Sequence, residues 1–137
     1  MYNVKIEKII KVNHEIDVVL QIMSDPTFLI PRLFPSISEI KVNGDEFYFK
    51  GKVAFIPYEG KGRVFVGAEG VRIVYETSRG SGIVLLQKFN DNSVKITLQH
   101  DNELYGNMGK LAINSNLSKL EKNINEDIRL ERIKRKI

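Results

Sequence analysis

Few residues of this 137-residue chain could do chemistry. It has no cysteine, which excludes disulfides, thiolate nucleophiles and thiolate zinc sites. His14 and His100 are its two histidines, so a histidine-rich metal site is impossible. The carboxylates form no ligand pattern, and neither a metal nor a cofactor is expected. No Ser-His-Asp or Cys-His set can be assembled, and no carboxylate pair has a diagnostic spacing. What remains is a set of polar side chains on mainly apolar strand phases: Tyr75, Thr77, Gln87 and His100. His100 is the best single candidate, because an imidazole titrates near neutrality. Its place at the end of a strand points to partial exposure. Each of the four could equally be satisfied by a partner inside the protein, as buried polar groups usually are. His14 falls at the first turn of a helix and reads as surface.

A second feature is the stretch "IPYEGKGRVFVGAEG", residues 56–70, with Gly60, Gly62, Gly67 and Gly70 in one window. A phosphate-binding loop needs its glycines between strand and helix, followed by Lys-Ser/Thr. Here Lys61 is followed by Gly62 and strands lie on both sides. A dinucleotide fingerprint fails too, since no helix follows. The glycines are therefore structural. Gly60 and Gly62 share a phase with Tyr58, Val64 and Val66, so two side chains are missing from one wall of a sheet. Strand glycines mark a bulge, a bend or a close approach. A bulge that curls the sheet and a gap that belongs to a ligand cavity are both compatible with this pattern.

The elements that must position these residues are legible from periodicity. Residues 2–12 alternate, with Val4, Ile6, Ile10 and Val12 in one phase, and Lys8 breaks the pattern as a bulge would. Asn13 is an N-cap candidate for a short amphipathic helix carrying Ile16, Val19, Leu20 and Met23. Asp25-Pro26 stops it and opens a second short helix, "PTFLIPRLF", limited by Pro31 and Pro35. From 37 to 101 the pattern is strand and turn: "ISEIKV", the hairpin signal "NGDE", then "FYFKGKVAF" with Phe47, Phe49, Val53 and Phe55 on one side. "YEGKGRVFV", "VRIVYET", "IVLLQKF" and "VKITLQH" follow, joined by short turns. From about Asn107 the period is helical to the end. Ile113, Leu117, Leu120, Ile124 and Ile128 fall within an arc of roughly 80° at 100° per residue, with Met108 and Leu111 pointing away from it. No repeat, low-complexity segment or linker divides residues 1–137, which read as a single domain.

This order covers the whole chain: one strand, two short helices, six strands and a long C-terminal helix. It resembles the START-like superfamily, also called SRPBCC or birch-pollen-allergen-like. The first helix ending in "SDP", the short apolar helix, and "FPSISEIKVNGDEF" are similar to that family's Asp-Pro stop and its proline-led entry into the second strand, where Ile40 and Val42 would face inward. The chain looks like an archaeal branch of it, and its lack of Cys and richness in Ile, Lys and Glu resemble hyperthermophile usage. The resemblance implies an α+β helix-grip fold: a seven-stranded curved antiparallel sheet around the C-terminal helix, with the two short helices closing one end. It also implies a cavity between sheet and helix for a small hydrophobic ligand such as a lipid, isoprenoid or polyketide-like molecule. Phe49, Phe55, Tyr58, Gly60, Gly62, Tyr75, Gln87, His100 and Leu117 are the cavity candidates. Relatives include polyketide cyclases and aromatases, for which His100, Tyr75 and Gln87 would supply acid and base. Others are co-chaperone interaction modules, which would show a shallow cavity and an exposed apolar patch.

The net charge of +4 resides in the tail "RLERIKRK", residues 129–136, because basic and acidic residues balance over the rest of the chain. Such a block could touch nucleic acid or an anionic membrane. It also complements the negative end of a helix dipole, which is the reading favoured here, so nucleic acid is not an expected partner. Leu130, Ile133 and Ile137 lie off the helix stripe and are available to a second copy in a homodimer. The charged, alternating start is no signal peptide, and apolar runs such as "IVLL" are far too short to span a bilayer, so a cytoplasmic location is expected.

Overall fold

The structure, a computed structural model, describes residues 4–101 and 106–137, the side chains of 106–108 excepted. Tyr2 and Asn3, included in the first-strand reading, and the side chain of Met108 lie outside the described residues. The elements are β1 (Val4–Lys11), α1 (Ile16–Met23), α2 (Pro26–Leu33), β2 (Ile37–Asn43), β3 (Glu46–Val53), β4 (Ile56–Gly67), β5 (Gly70–Thr77), β6 (Gly80–Asn90), β7 (Ser93–His100) and α3 (Gly106–Arg135). One antiparallel sheet has the order β1-β7-β6-β5-β4-β3-β2, a meander in which β1 closes onto β7. This is the α+β helix-grip architecture, with seven strands and a long C-terminal helix.

The local chemistry explains the boundaries. The Asp25 carboxylate accepts from Thr27 N at 2.9 Å and Pro26 takes the first helical position, so α2 begins one residue after a capped stop. Gly44 holds a left-handed φ of 65° in the β2–β3 turn, where a residue lacking Cβ is least strained. On α3, Ile113, Leu117, Leu120, Ile124 and Ile128 are all buried against the inner side of the sheet and the two short helices. Leu111 points away and is exposed.

The tail is a structural device. Arg132 reaches Glu15 at 2.7 Å, Arg135 reaches Asp25 at 2.8 Å, and Arg129 pairs with Glu126 at 2.6 Å. Two of these arginines bind the end of α3 to the start of α1 and to the α1–α2 junction.

Several local expectations are corrected. Lys8 is not a bulge: it pairs with Ile96 in unbroken register, stays in the inward phase at the sheet edge, and meets Glu121 of α3 at 3.3 Å. Asn13 does not cap α1. Glu15 occupies the N-cap position, and Asn13 N donates to Asn125 Oδ1 on α3. Phe55 does not continue β3. The chain turns at Ala54 and Phe55, and the Phe55 ring is 93% exposed. Val42 pairs with Phe47 on the inward row, yet β2 is an edge strand and leaves it half open.

The glycines of β4 are not bulged either. Pairing runs without interruption through Gly60 and Gly62 on both sides, and the irregularities fall at Ile37/Glu39 and Lys88/Asn90. The reason for glycine is close approach. Phe49 stands directly opposite Gly60, and Phe47 opposite Gly62. A Cβ on Gly60 would lie 2.5 Å from Phe49 Cζ, and one on Gly62 would collide with Phe47 Cζ and the Val74 carbonyl. Each ring lies across the backbone of the neighbouring strand in the place of the missing side chain. The gap expected from the sequence is filled by the protein's own aromatics.

Gly60→Ala is therefore expected to destabilise the fold by about 1–3 kcal/mol through overpacking. In a Phe49→Ala background the added methyl meets empty space, and the penalty should shrink by about 0.5 kcal/mol or more. Urea denaturation of the two single variants and the double variant checks this, and additive effects would refute the ring-over-glycine account.

Candidate functional site

Residues opposite one another in a sheet share a face, so the register assigns each candidate to a side. Tyr75, Gly82 and His100 form one inward row: Tyr75 pairs with Gly82, and Gly82 with His100. Gly82 makes the site possible. Having no side chain, it lets the Tyr75 ring cross over β6, where a Cβ would strike the Tyr75 hydroxyl. The hydroxyl thereby reaches His100 Nδ1 at 2.7 Å, two strands away, and the two rings stack at 5.6 Å with 13° between their planes. Phe34, at the C-cap of α2, packs edge-on against Tyr75 at 4.9 Å and at a tilt against Phe49 at 5.3 Å.

His100 is 4% exposed, more deeply buried than its strand-end position suggested. Its Nε2 faces Asp101 Oδ1 at 3.6 Å, beyond hydrogen-bond distance, and neither atom has a hydrogen-bond partner among the described residues. The other Asp101 oxygen accepts from Ser81 N at 3.0 Å. Burial pushes the imidazole pKa below its ordinary 6.5, while the Asp101 carboxylate pulls the other way and is outweighed. At neutral pH the ring is uncharged. The tautomer that serves both neighbours has Tyr75 O–H donating to Nδ1 and N–H on Nε2, directed toward Asp101.

The other candidates divide by face. Phe49, Tyr58, Gly60 and Gly62 lie on the inward side, and Leu117 is buried on the α3 stripe that faces it. The Tyr58 hydroxyl is committed to the Pro35 carbonyl at 2.5 Å. Gln87 is exposed: in β6 the inward phase is Gly82, Val84 and Leu86, and Gln87 follows Leu85 on the outer side. Phe55, at the β3–β4 turn, belongs to neither face. Thr77 is spent locally, its hydroxyl donating to the Gly80 carbonyl at 2.7 Å. Asp101 was missed by sequence reasoning, although the adjacent pair "HD" was its signal. Among the described residues, no group of three or more His, Cys, Asp or Glu gathers to hold a metal.

A groove of about 950 Å³ crosses the outer face of β2–β6. Its walls are two outward rows, Lys41-Tyr48-Lys61-Glu76 and Asn43-Glu46-Arg63-Val74. Carboxylates lie beside its cations: Lys41 meets Glu39 at 3.2 Å, Lys61 meets Glu76 at 3.4 Å, and Arg63 pairs with Glu46. It is a charge-compensated sheet surface on the side away from α3.

A hypothetical protein from Sulfolobus tokodaii is 49% identical, with a TM-score of 0.92, over 96% of this chain and 99% of that one. The chain belongs to that protein's family. A family model described only as "-like" matches residues 4–137. More distant structures share the fold alone. A conserved protein from Geobacillus kaustophilus has a TM-score of 0.62 at 15% identity, covering 88% of this chain and 93% of its own. The Zhui aromatase/cyclase from a Streptomyces species has a TM-score of 0.61 at 12% identity, covering 95% of each chain. No curated protein matches the chain. Among the described residues no helix is long and apolar enough to cross a membrane.

The depressed pKa of His100 gives stability a pH dependence of definite sign. Below the unfolded value of about 6.5 the unfolded chain takes up a proton that the folded chain resists. The contribution is present above that value and is lost progressively as pH falls from it toward the folded value. The urea midpoint should decline as pH falls below about 7, and His100→Gln should flatten that decline. An unchanged slope in His100→Gln would show that other groups cause it.

Proposed function

We propose that the protein binds a small, largely apolar molecule between the sheet and α3, with the Tyr75–His100 pair at the polar end of the site. The observation that supports this most directly is a neutral, buried imidazole on a mainly apolar inner face, with Nε2 and Asp101 Oδ1 lacking hydrogen-bond partners among the described residues. Ligand sites are mostly apolar with a few convergent polar groups, and an unpaired buried donor gains most from a ligand acceptor. Seating a ligand against the inner wall requires the rings of Phe47 and Phe49 to swing off the glycines. Aromatic side chains are suited to this, having two torsions and no polar group to leave unsatisfied.

Membership of the START-like superfamily is part of this reading. Strand order, helix placement and the shared fold of the aromatase/cyclase support it. An archaeal origin is also part of this reading, and the Sulfolobus relative supports it. The mode is sequestration or transport of a lipid, isoprenoid or polyketide-like compound. A cyclase-like enzyme is the second reading, favoured by a neutral His100 bonded to Tyr75, which is a competent proton-transfer pair. Gln87, on the outer face, drops out of that set.

Native mass spectrometry of the purified protein, followed by organic extraction, should reveal a bound small molecule or uptake of one from a mixture of fatty acids, isoprenoids and aromatic polyketides. Tyr75→Phe keeps the ring and removes the hydroxyl, so it should weaken uptake by about tenfold, the worth of one hydrogen bond. A folded protein that carries and takes up none of these compounds would overturn the proposal. Turnover of a captured polyketide would favour the enzyme.

A further inference from the structure

The β3–β4 hairpin turns on Ala54 and Phe55, whose φ values are 47° and 72°. Two-residue turns of this hand are the province of Asn and Gly, because a side chain crowds the backbone at positive φ. Phe55 is nevertheless the residue at the tip, 93% exposed, and its neighbour Ile56 is 43% exposed. Neither backbone preference nor core packing favours phenylalanine there. The base of the hairpin is held firmly: the Tyr58 hydroxyl donates to the Pro35 carbonyl, and Lys52 N donates to the Ser36 carbonyl at 3.2 Å. A stiff stem thus presents an apolar tip to the outside.

We propose that Phe55, with Ile56, is a membrane-surface anchor that inserts into the interfacial layer of a lipid bilayer. Size selects this occupant. One aromatic side chain buries about 150–250 Å², whereas a stable protein partner needs about 800 Å² on each side. A convex two-residue tip offers no complementary surface to another protein, and a bilayer requires none. The exposed Lys52, paired with Pro57 on the next rung, lies where an anionic headgroup would meet it. A single anchor gives weak, reversible attachment. This inference does not depend on the interior ligand, and its test is separate.

The chain contains no tryptophan, so Phe55→Trp carries a unique fluorescent reporter at the tip. On addition of vesicles of phosphatidylcholine and phosphatidylglycerol its emission should shift to the blue, and the protein should sediment with the vesicles. Phe55→Asn suits the left-handed backbone, so it should keep or raise the melting temperature while lowering vesicle binding by about tenfold or more. Unchanged Phe55→Trp emission in a folded protein, or Phe55→Asn binding equal to wild type, would overturn the proposal. A blue shift that follows protein concentration without vesicles would also overturn it, by assigning the tip to a second copy of the chain.

Discussion

Aromatic rings laid across glycines on the facing strand are the constraint on which this structure depends. Phe49 covers Gly60, Phe47 covers Gly62, Tyr75 covers Gly82, and at Gly51 the Tyr58 hydroxyl and the Pro35 and Ser36 carbonyls take the place of a side chain. Glycine weakens a strand, because it gives up more backbone freedom and packs no side chain of its own. Here the facing ring supplies the missing contact, and burial of each ring contributes about 1.5–3 kcal/mol. Phe34 at the end of α2 can then pack on the rings of Phe49 and Tyr75, while the hydrogen-bond ladder stays regular through β3, β4 and β5.

The same constraint places His100 in an apolar interior, where burial lowers its pKa. Tyr75 and His100 belong to strands that are not neighbours, with β6 between them. Only a residue without a side chain at position 82 lets the phenol pass over that strand to reach Nδ1. Phe34 then presses on the Tyr75 ring from α2, so the Asp25-Pro26 helix start and the Tyr75–His100 contact are mechanically connected. A polar pair is held in an apolar interior with its reactive edge turned toward Asp101 at the end of the sheet.

Two exposed features lie outside this interior logic. The outer groove is wide, but carboxylates lie beside its cations, and it behaves as a solvated sheet face. The basic tail, which looks from composition like a binding element, closes the molecule instead, because Arg132 and Arg135 fold back onto Glu15 and Asp25. The β3–β4 tip differs from both. Its backbone and its exposure disagree with its residue type, and nothing within the described molecule compensates.

Much of the fold was legible in the chain, because period and turn chemistry are local. Alternation and the turns between apolar runs marked the seven strands, the 3.6-residue stripe from Ile113 to Ile128 marked α3, and Asn43-Gly44, Asp25-Pro26 and Pro35 marked the breaks. Candidate positions on the inner face were legible wherever the phase was unambiguous, as for Phe49, Tyr58 and Tyr75. Gln87 was misplaced because "IVLLQKF" is apolar in both phases, and only pairing with β5 and β7 shows which phase faces α3. Phe55 was misplaced because a two-residue turn without Asn or Gly leaves no local mark. Filling of the glycine gap was decided by tertiary structure alone. An absent side chain in the sequence says that space is needed, and only the facing strand determines whether a ring or a ligand occupies it.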